Sequence, residues 1–235
     1  MRSLIVFVSD ISEYTTELIK KLKELKVPIS YYYGSSAKYY ASLDGNSKEL
    51  NEKKQLIKIL SNQSENNSFI GLNGGINWII DNEILNRLPT LNLHPSLLPL
   101  NRGSHHSFWS IMNDENHGAT LHWMDSDLDT GPILNQKKFL NDFNSTAEIV
   151  QKKSERLCIE LLEESILDIL SSTELPKGKA QGEGTFHYKS EIKNATTFDL
   201  EETITFKKLL KLCRATCAKN NGFFITKDGK NYAKI

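Results

Sequence analysis

The sequence predicts an α/β fold: a core built on a mainly parallel sheet, followed by a small C-terminal appendage of one helix and a β-hairpin. Three observations predict it. Short, largely apolar runs at Leu4 to Val8 and Phe69 to Leu72, and the alternating stretch Thr90 to His94, have the length and character of strands. The stretches between them carry apolar residues at helical spacing, and a β-α-β order implies parallel pairing with right-handed crossovers. From Ser171 to Lys189 the composition then turns to Pro, Gly, Lys and Gln, the signature of a surface crossing. The expected boundaries are a core over residues 1–172, a linker over 173–190 and an appendage over 191–235.

Each element follows from its residues. After the first apolar run, Tyr14, Leu18, Ile19, Leu22 and Leu25 recur at helical spacing, giving a β-α opening whose turn lacks Gly-x-Gly-x-x-Gly. The unit is therefore Rossmann-like without a nicotinamide or flavin fingerprint. Ile29 to Tyr33 reads as a strand, and Lys48 to Ser61 as a helix with Leu50, Leu56, Ile57 and Leu60 inward. Gly74-Gly75 follows the strand at Phe69 and precedes a helix carrying Ile76, Trp78, Ile79 and Ile80, which Pro89 ends. The glycines fit an ordinary β-α turn, and they equally let a planar ligand approach the main chain.

Thr90 to His94 places Asn92 and His94 on one strand face, with Leu91 and Leu93 on the other and Pro95 closing the ladder. His105 to Met112 reads as a short helix striped by Phe108, Trp109 and Met112, and Gly118 to Asp125 as a strand. Asp125-Ser-Asp-Leu-Asp129-Thr-Gly-Pro132 is a loop with three carboxylates that lacks the terminal Glu of a calcium loop. A strand at Ile133 to Phe139 follows. Ser145 and Glu148 form a capping box for a long helix to Leu170 with Ile149, Leu157, Leu161, Ile166, Leu167 and Leu170 inward. In the tail, Phe206, Leu209, Leu210 and Cys213 mark a helix, and Asp228-Gly229 between two apolar runs marks a hairpin.

Composition narrows the function classes. The 235 residues contain 29 Lys+Arg and 29 Asp+Glu, so no net basic field gathers nucleic acid or an anionic membrane surface. No apolar stretch reaches the roughly 20 residues a bilayer requires. Three cysteines, Cys158, Cys213 and Cys217, and an opening apolar run too short for a signal peptide point to the cytoplasm, with the thiols packed rather than metal-bound. His105 and His106, adjacent on a helix, diverge and do not chelate one ion. No metal is expected.

Asn92, His94 and Asp129 supply an amide, an imidazole and a carboxylate at strand ends or in the loop before a strand, where open α/β folds bind ligands. The set suits acyl transfer. An imidazole such as that of His94 can take a proton from an attacking amine and hand one to the departing group. An amide such as Asn92 can donate to a developing oxyanion, a contact whose loss costs about 3 to 4 kcal/mol. Asp129 would orient the ring and favour the imidazolium.

The motifs Asn92-x-His94-Pro95-Ser96-Leu97-Leu98-Pro99, Arg102-Gly103, Gly118-Ala119-Thr120-x-His122 and Asp129-x-Gly131-Pro132-Ile133 with Gln136 resemble formyltransferases that use 10-formyltetrahydrofolate. The resemblance is tight from Phe69 to Gln136 and loose over the first β-α units. It implies a formyl-transfer enzyme with Asn92, His94 and Asp129 as catalytic trio, and a folate pocket lined by Gly75, Ile76, Trp78 and Asp125. The Arg102 loop and the tail are similar to the sugar N-formyltransferase branch. That likeness implies a nucleotide-linked amino sugar as substrate, of the dTDP-4-amino-4,6-dideoxyglucose kind used for O-antigen and lipopolysaccharide synthesis. Arg102, Gly103 and His105 would contact it, and the protein would be a homodimer. The purine-pathway glycinamide ribonucleotide transformylase is the alternative; methionyl-tRNA enzymes carry a longer C-terminal domain and a basic surface. A metal hydrolase built on His94, His122 and Asp129 is a further rival.

Overall fold

The computed structural model describes all residues except 63–68, 77, 141, 218–221, 228–229 and 235. Its elements, in chain order, are β1 (Ser3–Phe7), α1 (Glu13–Glu24), β2 (Ile29–Tyr33), α2 (Ala37–Asp44), β3 (Lys48–Leu50), α3 (Lys53–Ser61), β4 (Phe69–Asn73), α4 (Asn82–Leu85), β5 (Thr90–His94) and β6 (Arg102–Gly103). The chain continues through α5 (His106–Met112), β7 (His117–Trp123), β8 (Ile133–Phe139), α6 (Ala147–Ser171), β9 (Phe186–His187), α7 (Glu191–Ala195), β10 (Thr197–Asp199), α8 (Phe206–Thr216), β11 (Phe224–Lys227) and β12 (Lys230–Lys234).

Two compact units emerge. The first comprises 1–94, 120–136 and 158–181, the second 95–119, 137–157 and 182–235, so the chain passes between them at the end of β5, within β7, β8 and α6, and after Gln181. The large sheet runs β3-β2-β1-β4-β5-β7-β8. Pairing is parallel from β3 to β5 and antiparallel between β5 and β7. This is the expected Rossmann-like α/β core. The strand order reverses between β2 and β4 around β1, the switch point at whose carboxyl side ligands of such folds bind.

In the first unit, Ile5 and Phe7 of β1 pack with Leu50, Leu56, Leu60, Ile80, Ile84 and Leu88. Ser12 caps α1 by accepting from the Thr15 N–H, and Leu18, Ile19 and Leu22 form the buried stripe the spacing predicts. In the second unit, α5 and α8 share a core of Phe108, Ile111, Leu212 and Ala215 with Ala147 and Val150 of α6. There β10-β11-β12 form a separate sheet. The hairpin strands pair antiparallel as expected, with β10 added in parallel on β11; the Asp228-Gly229 turn lies outside the described residues.

Several local expectations are corrected. Lys48 to Leu50 is not the start of a helix: it forms β3 by pairing with Tyr31 to Tyr33, and α3 begins only at Lys53. Ladder hydrogen bonds available at the sheet edge override the helix preference of Lys-Glu-Leu, because intrinsic propensity over three residues is small. The helix expected from Ile76 is confined to α4, because Asp81 restarts the chain as an N-cap that accepts from the Ile84 N–H. α2, with only Ala37 and Tyr40 buried, has too short an apolar stripe to read from sequence.

The capping box shifts by one position. Thr146 rather than Ser145 accepts, from the Ile149 N–H, while Ile149 and Leu167 are exposed and Val150, Leu162 and Ile169 are buried with Leu161, Ile166 and Leu170. α8 is displaced in the same sense. Leu212, Ala215 and Thr216 are buried, leaving Phe206, Cys213 and Cys217 exposed. The expected packing of both α8 thiols is therefore wrong, because the buried stripe lies one position along the helix. Among the described residues no helix is long and apolar enough to cross a membrane.

Candidate active site

Parity and register build the site. On β5 the alternation that sends Leu91 and Leu93 one way sends Asn92 and His94 the other. β5 aligns Leu91 with Leu72 of β4, which makes Asn73 the neighbour of Asn92 on one side; on the other, Asn92 pairs with His122 of β7. Three polar side chains thus form one rung across three strands. All sit close enough for cross-strand contact.

The distances follow that register. Asn73 Nδ2 donates to Asn92 Oδ1 at 2.8 Å, Asn92 Nδ2 lies 3.0 Å from His122 Nε2, and His122 Nδ1 lies 2.7 Å from the Trp123 carbonyl oxygen. Asn92 Nδ2 also donates to Asp129 Oδ1 at 3.2 Å, and His94 Nδ1 faces Asp129 Oδ2 at 3.5 Å. Asn92, His94 and His122 are 6%, 5% and 1% exposed, and the Asp129 side chain 8%. The structure therefore brings the sequence-expected trio together in a nearly dry setting. Burial pushes the His122 imidazole down to about 4, against the opposing pull of Asp129, so this ring is neutral at physiological pH.

Asp129 reaches the strand through a loop held at several points. Its backbone is left-handed, with φ 58°, a conformation Asp tolerates better than most residues. Gln181 Nε2 donates to the carbonyls of Asp129 and Gly131 at 2.9 and 2.7 Å. A Cβ at Gly131 would collide with the Trp123 carbonyl, so only glycine lets the loop close onto β7. Asp125 is exposed and organises the same loop, accepting from Thr130 Oγ1 at 2.6 Å and from the Asp127 N–H at 3.3 Å.

The residues expected to line a folate pocket fall into two kinds. Gly75 has φ 112°; its N–H donates to Asn73 Oδ1 at 3.0 Å and its carbonyl accepts from the Ser9 N–H at 2.9 Å. The turn role left open by the sequence is thus real. Ile76, Trp78 and Met124 are half-buried against the β1 core, with Trp78 edge-on to Phe7 and Tyr33 at 6.1 and 5.8 Å.

Arg102, Gly103 and His105 belong to the second unit. Arg102 and Gly103 form β6, paired with Phe186 and His187 of β9, and the Arg102 guanidinium donates to the Gly182 carbonyl at 3.1 Å. His105 precedes α5 with φ 59°; burial lowers its pKa, the Lys189 charge acts in the same direction and a Lys189 backbone hydrogen bond opposes them. His106 instead contacts Gln151 at 2.7 Å. Trp109 stacks on His187 at 4.0 Å. Among the described residues no group of three or more His, Cys, Asp or Glu is arranged to hold a metal ion.

Sequence reasoning missed Asn73 and Gln181. Asn73 lies one residue beyond the apolar run of β4, and its parity with Asn92 was a usable signal; Gln181 lay in the presumed linker, where nothing marked it. His122 had been open between a brace for the site and an ordinary buried hydrogen bond. Its ring lies between the Trp123 carbonyl and Asn92, with Asp129 Oδ1 3.9 Å from Nε2.

The fold and this trio define a Rossmann-like protein with a buried amide, imidazole and carboxylate gathered at a sheet edge. Residues 74–166 match the family model described as formyl transferase, meeting independently the likeness carried by the motifs. The chain is similar to the dTDP-4-amino-4,6-dideoxyglucose formyltransferase of Mycobacterium tuberculosis, 28% identical over 142 residues that cover 60% of each chain. It is also similar to a Wolbachia methionyl-tRNA formyltransferase, 33% identical over 119 residues, 49% of this chain and 38% of the relative. Matching stretches therefore cover about 60% or less of these curated relatives. Among solved structures, an N-formyltransferase of Helicobacter canadensis in complex with folinic acid and dTDP-3-aminofucose shares the fold. Its TM-score is 0.70 at 18% identity, covering 100% of this chain and 87% of that one.

Proposed function

We propose that this chain is a sugar N-formyltransferase that moves a formyl group from 10-formyltetrahydrofolate to the amino group of a nucleotide-linked amino sugar. A dTDP-linked 4-amino-4,6-dideoxy sugar is the first candidate. The observation that carries this reading is the buried convergence of Asn92, His94 and Asp129 within one unit. The sugar formyltransferase relative and the folate- and dTDP-sugar-bound neighbour support the two ligands.

The sugar nitrogen attacks the formyl carbon, forming a new C–N bond and placing negative charge on the formyl oxygen. With Nδ1 turned to Asp129, His94 presents Nε2 as its basic nitrogen; it takes the proton from the attacking amine and returns it to N10 of the folate as the C–N10 bond breaks. Asp129 then faces an imidazolium. The stronger pull draws its carboxylate toward His94 and away from the Asn92 amide, whose hydrogen becomes available to the oxyanion. Tetrahydrofolate and the formamido sugar leave. Gly75, Ile76, Trp78 and the Asp125 loop hold the folate, Arg102, Gly103 and His105 hold the nucleotide sugar, and the chain works as a homodimer.

The test is a panel read by mass: dTDP-, UDP- and GDP-linked amino sugars, glycinamide ribonucleotide and methionyl-tRNA, each with 10-formyltetrahydrofolate. Formylation of a nucleotide sugar is expected. Formylation of glycinamide ribonucleotide or tRNA alone, or of nothing, overturns the reading.

A further inference from the structure

Hydrogen-bond polarity along the β4-β5-β7 rung is fixed from both ends by backbone groups, which cannot reverse. At one end the Gly75 N–H is a donor, so the Asn73 atom it meets at 3.0 Å is an oxygen. Asn73 must then turn its NH2 toward Asn92, which answers with its carbonyl oxygen at 2.8 Å. At the other end the Trp123 carbonyl is an acceptor, so the His122 nitrogen 2.7 Å from it carries the proton. A neutral ring protonated at Nδ1 leaves Nε2 as an acceptor, and the group facing it at 3.0 Å must be the Asn92 NH2. Both ends dictate the same amide orientation. Amide and ring assignments are ordinarily inferences from networks; here the network closes on the main chain.

We propose that Asn73 and His122 are positioning residues that act through Asn92, locking its amide with both N–H groups on the His122 and Asp129 side. This rests on the formyl-transfer reading for its catalytic consequence, although the lock itself does not. The Asn92 NH2 has two hydrogens, one spent on His122 and the second shared with Asp129. A flipped amide would set its oxygen against the Asp129 carboxylate and against any developing oxyanion, opposing both. Burial supports the lock: the His122 ring, depressed to about 4, stays a neutral acceptor across the working pH range.

The variant Asn73→Asp tests this with almost no change in shape. Its carboxylate still accepts from Gly75 but repels the Asn92 carbonyl, so the amide reverses and presents oxygen to His122. Protonating that carboxyl restores a donor. At this half-buried position the facing Asn92 carbonyl oxygen, with the Asp129 carboxylate beyond Asn92 and Asp10 beside Gly75, should push the introduced carboxyl above the usual carboxylate range; the Gly75 N–H and the imidazoles of His94 and His122 act the other way. At pH 8 the variant's kcat should fall by tenfold or more, with both KM values within about twofold, and the ratio to wild type should climb as pH falls toward 6. A side chain that merely filled space would give no acid rescue.

Imidazole nitrogen NMR supplies a readout independent of turnover. In the wild type, His122, assigned by its loss in His122→Gln, should be the Nδ1–H tautomer from pH 5 to 8; in Asn73→Asp at pH 8 it should shift to Nε2–H. A wild-type Nε2–H tautomer overturns the proposal even if the variant fails to fold. So does a variant whose tautomer and kcat ratio are both unmoved by pH. If no substrate in the panel is formylated, the functional reading falls while the tautomer result still decides the lock.

Discussion

At the carboxyl edge of the large sheet, polar atoms of Asn92 and His122 meet partners of opposite character. Where α5 meets β9 in the second unit, Trp109 Nε1 and His187 Nε2 are buried with no hydrogen-bond partner among the described residues; the two rings stack, and a single polar contact, from His187 Nδ1 to Glu191 at 3.1 Å, accompanies the stack. The difference teaches which property each region is built on. Directional bonds set orientation in the first, so a change of polarity at constant shape is damaging there. Shape carries more of the orientation in the second, where one partly exposed ion contact at His187 accompanies the stack, and a change of volume is the more damaging there.

The largest effect should come from His94→Asn, which removes the proton carrier: turnover falls by about 10²–10⁴-fold in a single-turnover formylation assay while circular dichroism is unchanged. Next comes Asn92→Asp, a polarity change without a volume change, which buries a second carboxylate against Asp129. It should lower kcat by roughly 10²-fold and the melting temperature at pH 8 by several degrees. Equal activity in this variant would break the comparison.

A third prediction concerns pH. The folded pKa of His122, about 4, lies below the ordinary histidine value of about 6.5, so between these limits the unfolded chain binds more protons. Stability from this group is full above pH 6.5 and is lost as pH falls toward 4, by roughly 3 kcal/mol. Chemical denaturation at pH 7 and pH 4.5 should show that slope, and His122→Gln should flatten it.

In the second unit the ranking reverses. Trp109→Ala, a volume change, should cost about 3 kcal/mol, whereas His187→Phe, which keeps the stack but deletes both the unpartnered Nε2 and the 3.1 Å contact of Nδ1 with the partly exposed Glu191, should cost only about 1 kcal/mol by urea titration. Smallest of all, Cys213→Ser on the exposed face of α8 should stay within about 0.5 kcal/mol by urea titration.

Sequence by itself determined the α/β class, most strands of the core and the chemical identity of Asn92, His94 and Asp129, because apolar runs, alternation and proline breaks are local signals carried by neighbouring residues. It misjudged Lys48 to Leu50, where edge pairing won, and the faces of α6 and α8, where a shift of one residue turns a helix by about 100°. Only the tertiary structure decided that Asn73, Asn92 and His122 share a rung. Strand register sums packing over distant segments, and a slip of one residue would have sent Asn92 to the opposite face. It also decided the direction of every hydrogen bond along that rung, since donor and acceptor roles were settled by a Gly75 N–H and a Trp123 carbonyl 48 positions apart in the chain.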